Sequence, residues 1–309
     1  MVDWADGIAT YSLDGSSTPS RVNYAFRFDS AQALPGTPYV VIYERLGTKG
    51  LILREGKVLR EINRSYYHAA VYDCPISLFH LPDGRAVIAH CPDKYCRIEI
   101  EELETGERLT RRDNKPLDFF HSRLQSSRDG QYLLSAGWYW HPLDFVKIFS
   151  ISEVLAEPEK LETGPKHIPC RPWVELNNAC FFGHDAVIVT GRDYDAPDED
   201  EDMNIQKLES NEVGVYSLID QRFLSTAKVE EPTGTLMPVG ESFVLGLYEH
   251  PKLIELATGR VVARWPQIES GKQNSSIHFE KLPPIALDPK NHRFAVADSE
   301  QIVVVQLGE

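Results

Sequence analysis

Apolar and polar positions alternate in short runs along almost the whole chain. Residues 121–151 hold three such runs in succession, RLQSS, QYLLSAG and FVKIFSI, and the turn Arg128-Asp129-Gly130 separates the first two. Alternation with a period of two is typical of half-buried strands, and a Gly-containing turn between two runs predicts an antiparallel hairpin. This segment therefore predicts most of one small antiparallel sheet.

The same rhythm recurs at a nearly constant spacing. The turns between the first and second strand of each unit are 48, 46, 53, 57 and 51 residues apart, at Gly36, Gly84, Gly130, Gly183, Gly240 and Asn291. Such a repeat, with up to four short strands in each unit, predicts an all-β fold, a β-propeller of six four-stranded blades. We expect one domain over residues 1–309. Seven blades are the alternative, because insertions after Ile151 and around Asp200 can hide a degenerate unit.

The sixth unit has only three predicted strands, whereas residues 7–14 form a strand-like run without a partner. We expect this N-terminal strand to pair with residues 302–307 and complete the last blade, because an open sheet edge promotes aggregation. Two insertions interrupt the repeats. Residues 152–163 predict a short helix, with Ser152 as its N-cap and Pro158 at its end. Residues 192–211 are strongly acidic and predict a mobile loop.

One unit carries side chains found at matching places in a known repeat. His121 precedes the first strand, Ser135 lies on the second and Asp144 precedes the third. In this respect the chain resembles a divergent WD40-like or YVTN-like β-propeller, although Phe149-Ser150 replace the Trp-Asp pair that would end the unit. The resemblance implies that the three side chains form a structural hydrogen-bond group inside the blade.

Composition and charge narrow the classes of partner. The chain is 42% hydrophobic and 25% charged, with a formal net charge of −14. This charge disfavours nucleic acid as a partner, and the basic pair Arg111-Arg112 is isolated in the sequence. No apolar run is long enough to span a bilayer, and the N-terminus lacks the pattern of a signal peptide. We therefore expect a monomer in the cytoplasm that contacts neither nucleic acid nor membrane.

The five cysteines are odd in number and scattered, so free thiols are expected and a secreted disulfide framework is not. His90, Cys91 and Cys96 lack the spacing of a zinc site. The acidic run offers Asp193, Asp195 and Asp198 as a weak alternative for a calcium site, but its spacing does not fit an EF-hand loop. We predict no metal and no cofactor.

Aromatic residues are concentrated in segments that up-and-down geometry places on one face of the ring. Aromatic side chains on loops of a rigid scaffold are enriched at binding hot spots. The candidate partner-binding residues are Trp138, Tyr139, Trp140, His141, Tyr95, Tyr248 and His250, and the same face collects Tyr66, Tyr67, His68, Phe119 and Phe120. The alternative is that these rings plug the loops against the blades. The segment GWYWHPLD favours a binding role because it is longer than a tight hairpin requires.

Two functions of different classes follow. The favoured one is a non-enzymatic scaffold that binds another protein or peptide through the aromatic loop face. The alternative is a metal-dependent hydrolase or lactonase-like six-bladed propeller enzyme with a cation in its central channel, for which only Glu44, Asn177, Asn178 and Asp185 are suitably placed. No catalytic residue is predicted, because no P-loop, GxSxG or HExxH motif occurs.

Overall fold

The strands of the chain form a ring of small sheets. The computed structural model describes residues 2–3, 9–19, 24, 26, 28–140, 143–194, 205–298 and 301–308. Between Ser30 and Gln306, six antiparallel sheets of three or four strands follow one another in chain order. The fold is a six-bladed β-propeller. The predicted fold class and number of blades are therefore confirmed.

A further small sheet precedes the ring, with strands β1 (Val2–Asp3), β2 (Ala9–Tyr11) and β3 (Ser17–Pro19). Strand β2 pairs with both β1 and β3, so the predicted pairing of residues 7–14 with 302–307 is wrong for the described residues. A tight turn explains this result, because Gly15 has φ of 87° and Ser12 N–H donates to the Ser16 carbonyl at 2.8 Å. Closing this short hairpin costs less chain entropy than pairing with the far end of the chain.

The first three blades are built as follows. Blade 1 contains β4 (Ser30–Ala33), β5 (Tyr39–Tyr43), β6 (Lys49–Arg54) and β7 (Lys57–Asn63). Blade 2 contains β8 (Ile76–His80), β9 (Ala86–His90) and β10 (Glu99–Glu102). Blade 3 contains β11 (Phe119–Phe120), β12 (Leu124–Ser126), β13 (Tyr132–Tyr139) and β14 (Leu143–Ser150). Strands β11 and β12 pair with the two ends of one edge of β13.

The last three blades repeat the meander. Blade 4 contains β15 (Val174–Phe182), β16 (Ala186–Asp193), β17 (Glu212–Ser217) and β18 (Arg222–Lys228). Blade 5 contains β19 (Leu236–Val239), β20 (Phe243–Gly246), β21 (Lys252–Glu255) and β22 (Val261–Arg264). Blade 6 contains β23 (Ile285–Asp288), β24 (Arg293–Ala297) and β25 (Ile302–Gln306).

The six predicted turns lie between the first and second long strands of their blades. Five of the glycines there have positive φ, with values of 75° at Gly36, 89° at Gly84 and 69° at Gly130. In the sixth turn a 3-10 segment, Pro289–Asn291, takes the place of a glycine, and His292 has φ of 47°. The repeat length seen in the sequence is therefore the distance along the chain from one hairpin turn to the corresponding turn of the next blade.

Both insertions differ from prediction in their bounds. Two helices, α1 (Ile151–Ala156) and α2 (Lys160–Thr163), follow blade 3, and Ser150 rather than Ser152 is the N-cap. Residues 195–204 of the acidic loop, including Asp195 and Asp198, lie outside the described residues. The predicted range 192–211 is too wide, because Asp193 ends β16 and Leu208 is fully buried. In the described part of the chain, no helix is both long and apolar enough to cross a bilayer.

Apolar clusters join neighbouring blades in sequence around the ring. Representative buried pairs from blade 1 to blade 6 are Ile52 with Ile88, Val87 with Leu133, Val146 with Val187, Ile188 with Val244, and Leu245 with Phe294. Among the described residues no such cluster joins blade 6 to blade 1. Phe28, Ile42 and Leu53 of the blade 1 region form a separate cluster instead. We call the junction between blades 6 and 1 the seam.

The segment between β22 and β23 crosses the ring. We call residues 270–283 the strap. In chain order its members contact blades 5, 4, 3, 2 and 1 through Ser270, Asn274, Ser276, His278 and Leu282. A segment that touches five blades in reverse order follows the centre of the ring.

Candidate functional site

Five aromatic rings form a continuous stack across blades 2 and 3. Trp138 lies 3.8 Å from Phe120 between ring centroids, with an angle of 6° between the planes. Phe120 stacks on Tyr95 at 4.2 Å, and Tyr95 lies 5.1 Å from Tyr67. At the other end, Trp140 lies 5.8 Å from Trp138. We call these five residues the aromatic stack.

Strand alternation selects which aromatic residues of blade 3 join the stack. Successive side chains of a strand point to opposite faces, so Trp138 and Trp140 share one face of the sheet. Phe120 of β11 is the direct cross-strand partner of Trp138, which brings the two rings together. Tyr139 and Phe119 occupy the opposite face, where their rings lie 4.9 Å apart.

The turn that carries Tyr67 is held from beneath by one arginine. Arg64 is buried, and its guanidinium donates to the carbonyls of Gly47 at 2.7 Å, Ala69 at 2.7 Å and Tyr72 at 3.0 Å. It also lies over the Tyr72 ring at 4.5 Å. These bonds satisfy backbone carbonyls that would otherwise lie unpaired between blades 1 and 2. The exposed tyrosines therefore project from a fixed turn.

Exposure increases from the middle of the stack to its ends. Phe120 is 0% exposed and Trp138 is 4% exposed, whereas Trp140 is 47% and Tyr67 is 46% exposed. The neighbouring Tyr66 is 88% exposed. The middle rings thus plug the blades, and the outer rings face solvent.

A hydrogen bond fixes the ring between the two ends. The Tyr95 hydroxyl donates to Asp118 Oδ1 at 2.6 Å. Burial, together with the hydrogen bond and negative charge of Asp118, raises the pKa of Tyr95 above its ordinary value. Tyr95 therefore stays protonated and oriented, and the stack is pre-organised in the free protein.

Other predicted partner-binding residues lie elsewhere. Tyr139 packs on the opposite face of blade 3, and His141 is outside the described residues. Tyr248 and His250 belong to blade 5, where Lys252 lies 5.9 Å from the Tyr248 ring centroid. In the described part of the structure no ring contact connects either residue to the stack. The loop-length argument was also wrong, because β13 extends to Tyr139 and β14 begins at Leu143.

Two of the three residues of the predicted hydrogen-bond group are together. His121 Nδ1 lies 3.0 Å from Ser135 Oγ, both side chains are buried, and burial first, then nearby Lys147 and Arg112, lowers the pKa of His121 well below its ordinary value. Asp144 is not part of this group. Its Oδ1 accepts a bond of 2.8 Å from the backbone N–H of Ser276 in the strap.

The strap also binds two of the four side chains considered for a channel cation, Asn177 and Asn178. Asn274 Oδ1 accepts from Asn177 Nδ2 at 2.9 Å, from Asn178 Nδ2 at 3.1 Å and from the Gly234 N–H at 3.2 Å. Among the described residues no group of three His, Cys, Asp or Glu side chains is arranged to hold a metal ion. The side-chain amides of Asn177, Asn178 and Asn274 are thus hydrogen-bonded to one another.

Further along the strap, His278 contacts an acidic residue of the connection into blade 2. His278 Nε2 lies 2.9 Å from Asp73 Oδ1, and the His278 N–H donates to the Val71 carbonyl at 2.7 Å. Burial alone would raise the pKa of Asp73, but the hydrogen bond and charge of His278, with Arg45 and Arg123, bring it below its ordinary value. This pair anchors the strap directly beside the turn that carries Tyr67.

Sequence reasoning missed the strap and the central position of Phe120. The strap residues 270–283 have no alternation, so no pattern marks them as a structural element. Phe120 was expected only as one of several rings on the aromatic loop face. Its pairing with Trp138 depends on a two-residue strand, β11, which is too short to give a periodic signal.

The comparisons with known proteins give the fold and little more. No protein-family model matches the chain. Over 74 residues the chain is 32% identical to a UPF0173 metal-dependent hydrolase of Thermococcus kodakarensis, and over a segment of the same length it is 31% identical to one of Pyrococcus abyssi. Each match covers 24% of this chain and 28% of the relative, so the chain spans little more than a quarter of either hydrolase.

A solved structure covers the whole chain. A chain of the crystal structure of the mitotic checkpoint complex aligns with a TM-score of 0.61 and 10% identity, covering 100% of this chain and 87% of that chain. At this identity the likeness concerns the fold alone. Together with the six blades, it supports the β-propeller fold.

Proposed function

We propose that this protein is a non-enzymatic interaction scaffold that binds a protein or peptide through the solvent-facing end of the aromatic stack. The observation that carries the proposal is the stack itself. Trp140 and Tyr67 expose nearly half of their surface while lying against the fully packed Phe120. Rigid aromatic side chains lose little conformational entropy on binding, so such rings are effective anchors for a partner.

The position of the rings also supports binding rather than packing. Tyr66 and Tyr67 lie on the connection into blade 2, and Trp140 follows β13 of blade 3. Exposed aromatic residues from separate segments therefore converge on one surface. We expect the scaffold to act as a monomer in the cytoplasm, with a protein or peptide as the ligand and neither nucleic acid nor membrane as a partner.

The test begins with identification of the partner. A photo-crosslinking amino acid at Tyr66 is expected to trap it in cells, and one at Ile219, which is 67% exposed on blade 4, serves as the control. The trapped protein is then purified and its Kd measured. Tyr67→Ala with Trp140→Ala should weaken this Kd by about 2 kcal/mol or more, roughly thirtyfold.

Stability measurements separate binding from folding. The double variant removes half-exposed rings and should leave the melting temperature nearly unchanged, as should the control Ile219→Ala with Leu224→Ala. Trp138→Ala removes a buried ring and should lower the unfolding free energy by about 3–5 kcal/mol. If the purified partner binds the Tyr67/Trp140 variant as tightly as it binds the wild type, the proposed function is wrong.

A further inference from the structure

A basic cleft lies beside the aromatic stack. Its volume is about 470 Å³, and five basic side chains line it, Lys94, Arg97, Arg108, Arg111 and Arg112. The loop between β9 and β10 contributes to both features. Its Tyr95 belongs to the stack, whereas its Lys94 and Arg97 line the cleft. In a chain of net charge −14, this is a local concentration of positive charge.

Two of the five basic side chains, Arg108 and Arg112, are paired with acidic residues. Arg108 Nη2 donates to Asp93 Oδ1 at 3.1 Å, and Arg108 Nε donates to Glu101 Oε1 at 3.1 Å. Arg112 Nη2 donates to Glu162 Oε1 at 2.6 Å. These ion pairs form the wall of the cleft and hold its shape.

Glu99, also in the wall, is a buried acid with its own partners. Its carboxylate accepts from Thr110 Oγ1 at 2.9 Å and lies 3.5 Å from Arg112 Nη1. Burial raises the pKa of Glu99 despite these partners. Its carboxylate is paired with the Arg112 guanidinium in the wall of the cleft.

Three cations remain without a carboxylate partner in the described part of the chain. Lys94 and Arg111 are exposed, and no ion pair involves them. Arg97 donates from Nη1 to the Arg112 carbonyl at 2.7 Å and from Nη2 to the Asn114 carbonyl, which fixes the guanidinium without cancelling its charge. Asp113 is the one lining acid without such a partner, so three cations and one acid of the lining have no ion-pair partner among the described residues.

We propose that this cleft binds a phosphate monoester. Lys94 and Arg111 are free to donate to a phosphate group, and guanidinium groups bind phosphate oxygens through paired N–H donors. The cleft is larger than a phosphate group, so it also has room for the small molecule or the side chain that carries the phosphate. The site is separate from the aromatic stack and does not depend on what the stack binds.

The test uses defined probes on the whole chain. Phenyl phosphate is titrated by calorimetry at low salt, with phenol as the uncharged control. We expect saturable binding of phenyl phosphate that weakens as salt is added, because the contacts are largely electrostatic. Lys94→Ala with Arg111→Ala should weaken binding about tenfold or more, as expected when charge-assisted hydrogen bonds are lost.

Matched variants keep the test specific. Lys115→Ala removes an exposed lysine of the same region that does not line the cleft, and should bind phenyl phosphate like the wild type. Lys94→Arg with Arg111→Lys retains both charges and should restore most of the binding. All these side chains are exposed, so thermal melts should be unchanged and confirm that each variant is folded.

The outcomes decide both the site and the source of the phosphate. Failure of the wild type to bind phenyl phosphate, or equal binding by the Lys94/Arg111 variant, would overturn the proposal. A phosphoserine peptide that binds more tightly than phenyl phosphate, while its serine counterpart does not bind, would place the phosphate on a partner protein. The reverse order of affinities would indicate a free phosphorylated small molecule.

Discussion

At the scale of single residues, alternation along one strand decides which side chains are available to a partner. Trp138 and Trp140 share a face of β13, yet the first is buried against Phe120 and the second lies at the strand end in solvent. Tyr139 between them belongs to the other side of the sheet. The sequence motif WYW therefore combines one core residue, one residue of the opposite face and one exposed ring.

The opposite face of the same blade buries a lysine without an acidic partner at salt-bridge distance in the described residues. Lys147 is 2% exposed, and its ammonium group lies 4.0 Å from the Phe119 ring centroid and 4.9 Å from that of Tyr139. Burial disfavours the charged amine and lowers the pKa of Lys147 from 10.5 to about 8, although Glu162 opposes this shift. The aromatic rings compensate part of the desolvation cost.

This shift predicts a pH-dependent stability. Between pH values near 8 and 10.5, the unfolded chain holds a proton on Lys147 that the folded chain has released. The unfolding free energy should therefore rise with pH through this interval. At lower pH Lys147 is charged in both the folded and the unfolded chain, and the folded state bears the full cost of burying that charge. Lys147→Met should lack this rise in urea denaturation, whereas Lys115→Met should keep it. Equal slopes for wild type and Lys147→Met would contradict the shifted pKa.

At the scale of elements, the strap joins blades that are not neighbours in sequence. Asn274 alone accepts three hydrogen bonds from blade 4 and the start of blade 5. The Asn177 and Asn178 side chains are 2% and 1% exposed, so the donors themselves are buried. The strap is therefore a structural element in spite of its irregular backbone.

The Asn274 network makes a measurable prediction. Asn274→Ala removes the acceptor of the Asn178 amide and the Gly234 N–H, whereas Asn177 Nδ2 keeps its 3.1 Å bond to the backbone carbonyl of residue 274. Each unsatisfied buried donor costs about 1–3 kcal/mol. We expect the unfolding free energy in urea to fall by about 3 kcal/mol or more. Gln301→Ala, which removes an amide at an exposed position, should change it by less than about 0.5 kcal/mol. Comparable small effects of both substitutions would show that the strap is not a stabilising element.

The elements show what the sequence could and could not predict. Strand runs and hairpin turns were predictable, because alternation and glycine at positive φ are local properties of the chain. The strap was not, since its hydrogen bonds join residues as far apart as Asp144 and Ser276. The basic cleft was missed for the same reason: Lys94 and Arg111 are distant in sequence and meet only through the fold.

At the scale of the whole molecule, the ring is unevenly packed. Strands β15 and β16 of blade 4 consist almost entirely of buried residues, whereas β23 and β25 of blade 6 alternate between partly buried and exposed ones. The seam also lacks the shared apolar cluster that joins the other neighbouring blades in the described residues. Local stability should therefore be lowest around the seam.

Hydrogen exchange can measure this difference. Backbone amides of β24 and β25 should exchange faster than those of β15 and β16, because local opening at the seam exposes less apolar surface. Mass spectrometry of peptides from both blades under native conditions gives the comparison. If the amides of blade 6 are as strongly protected as those of blade 4, some other contact closes the ring and the seam is not its weakest point.

The strap has a consequence for how the molecule melts. Units that contact only their neighbours behave like a one-dimensional array, in which separate parts can unfold independently and the transition broadens. The strap adds a connection from one linker to five of the six units, so the loss of any of them disturbs the same amide network. Five blades therefore share contacts with one segment, in addition to the contacts that each blade makes with its neighbours. We therefore expect these five blades to unfold more cooperatively than an array of units that contact only their neighbours.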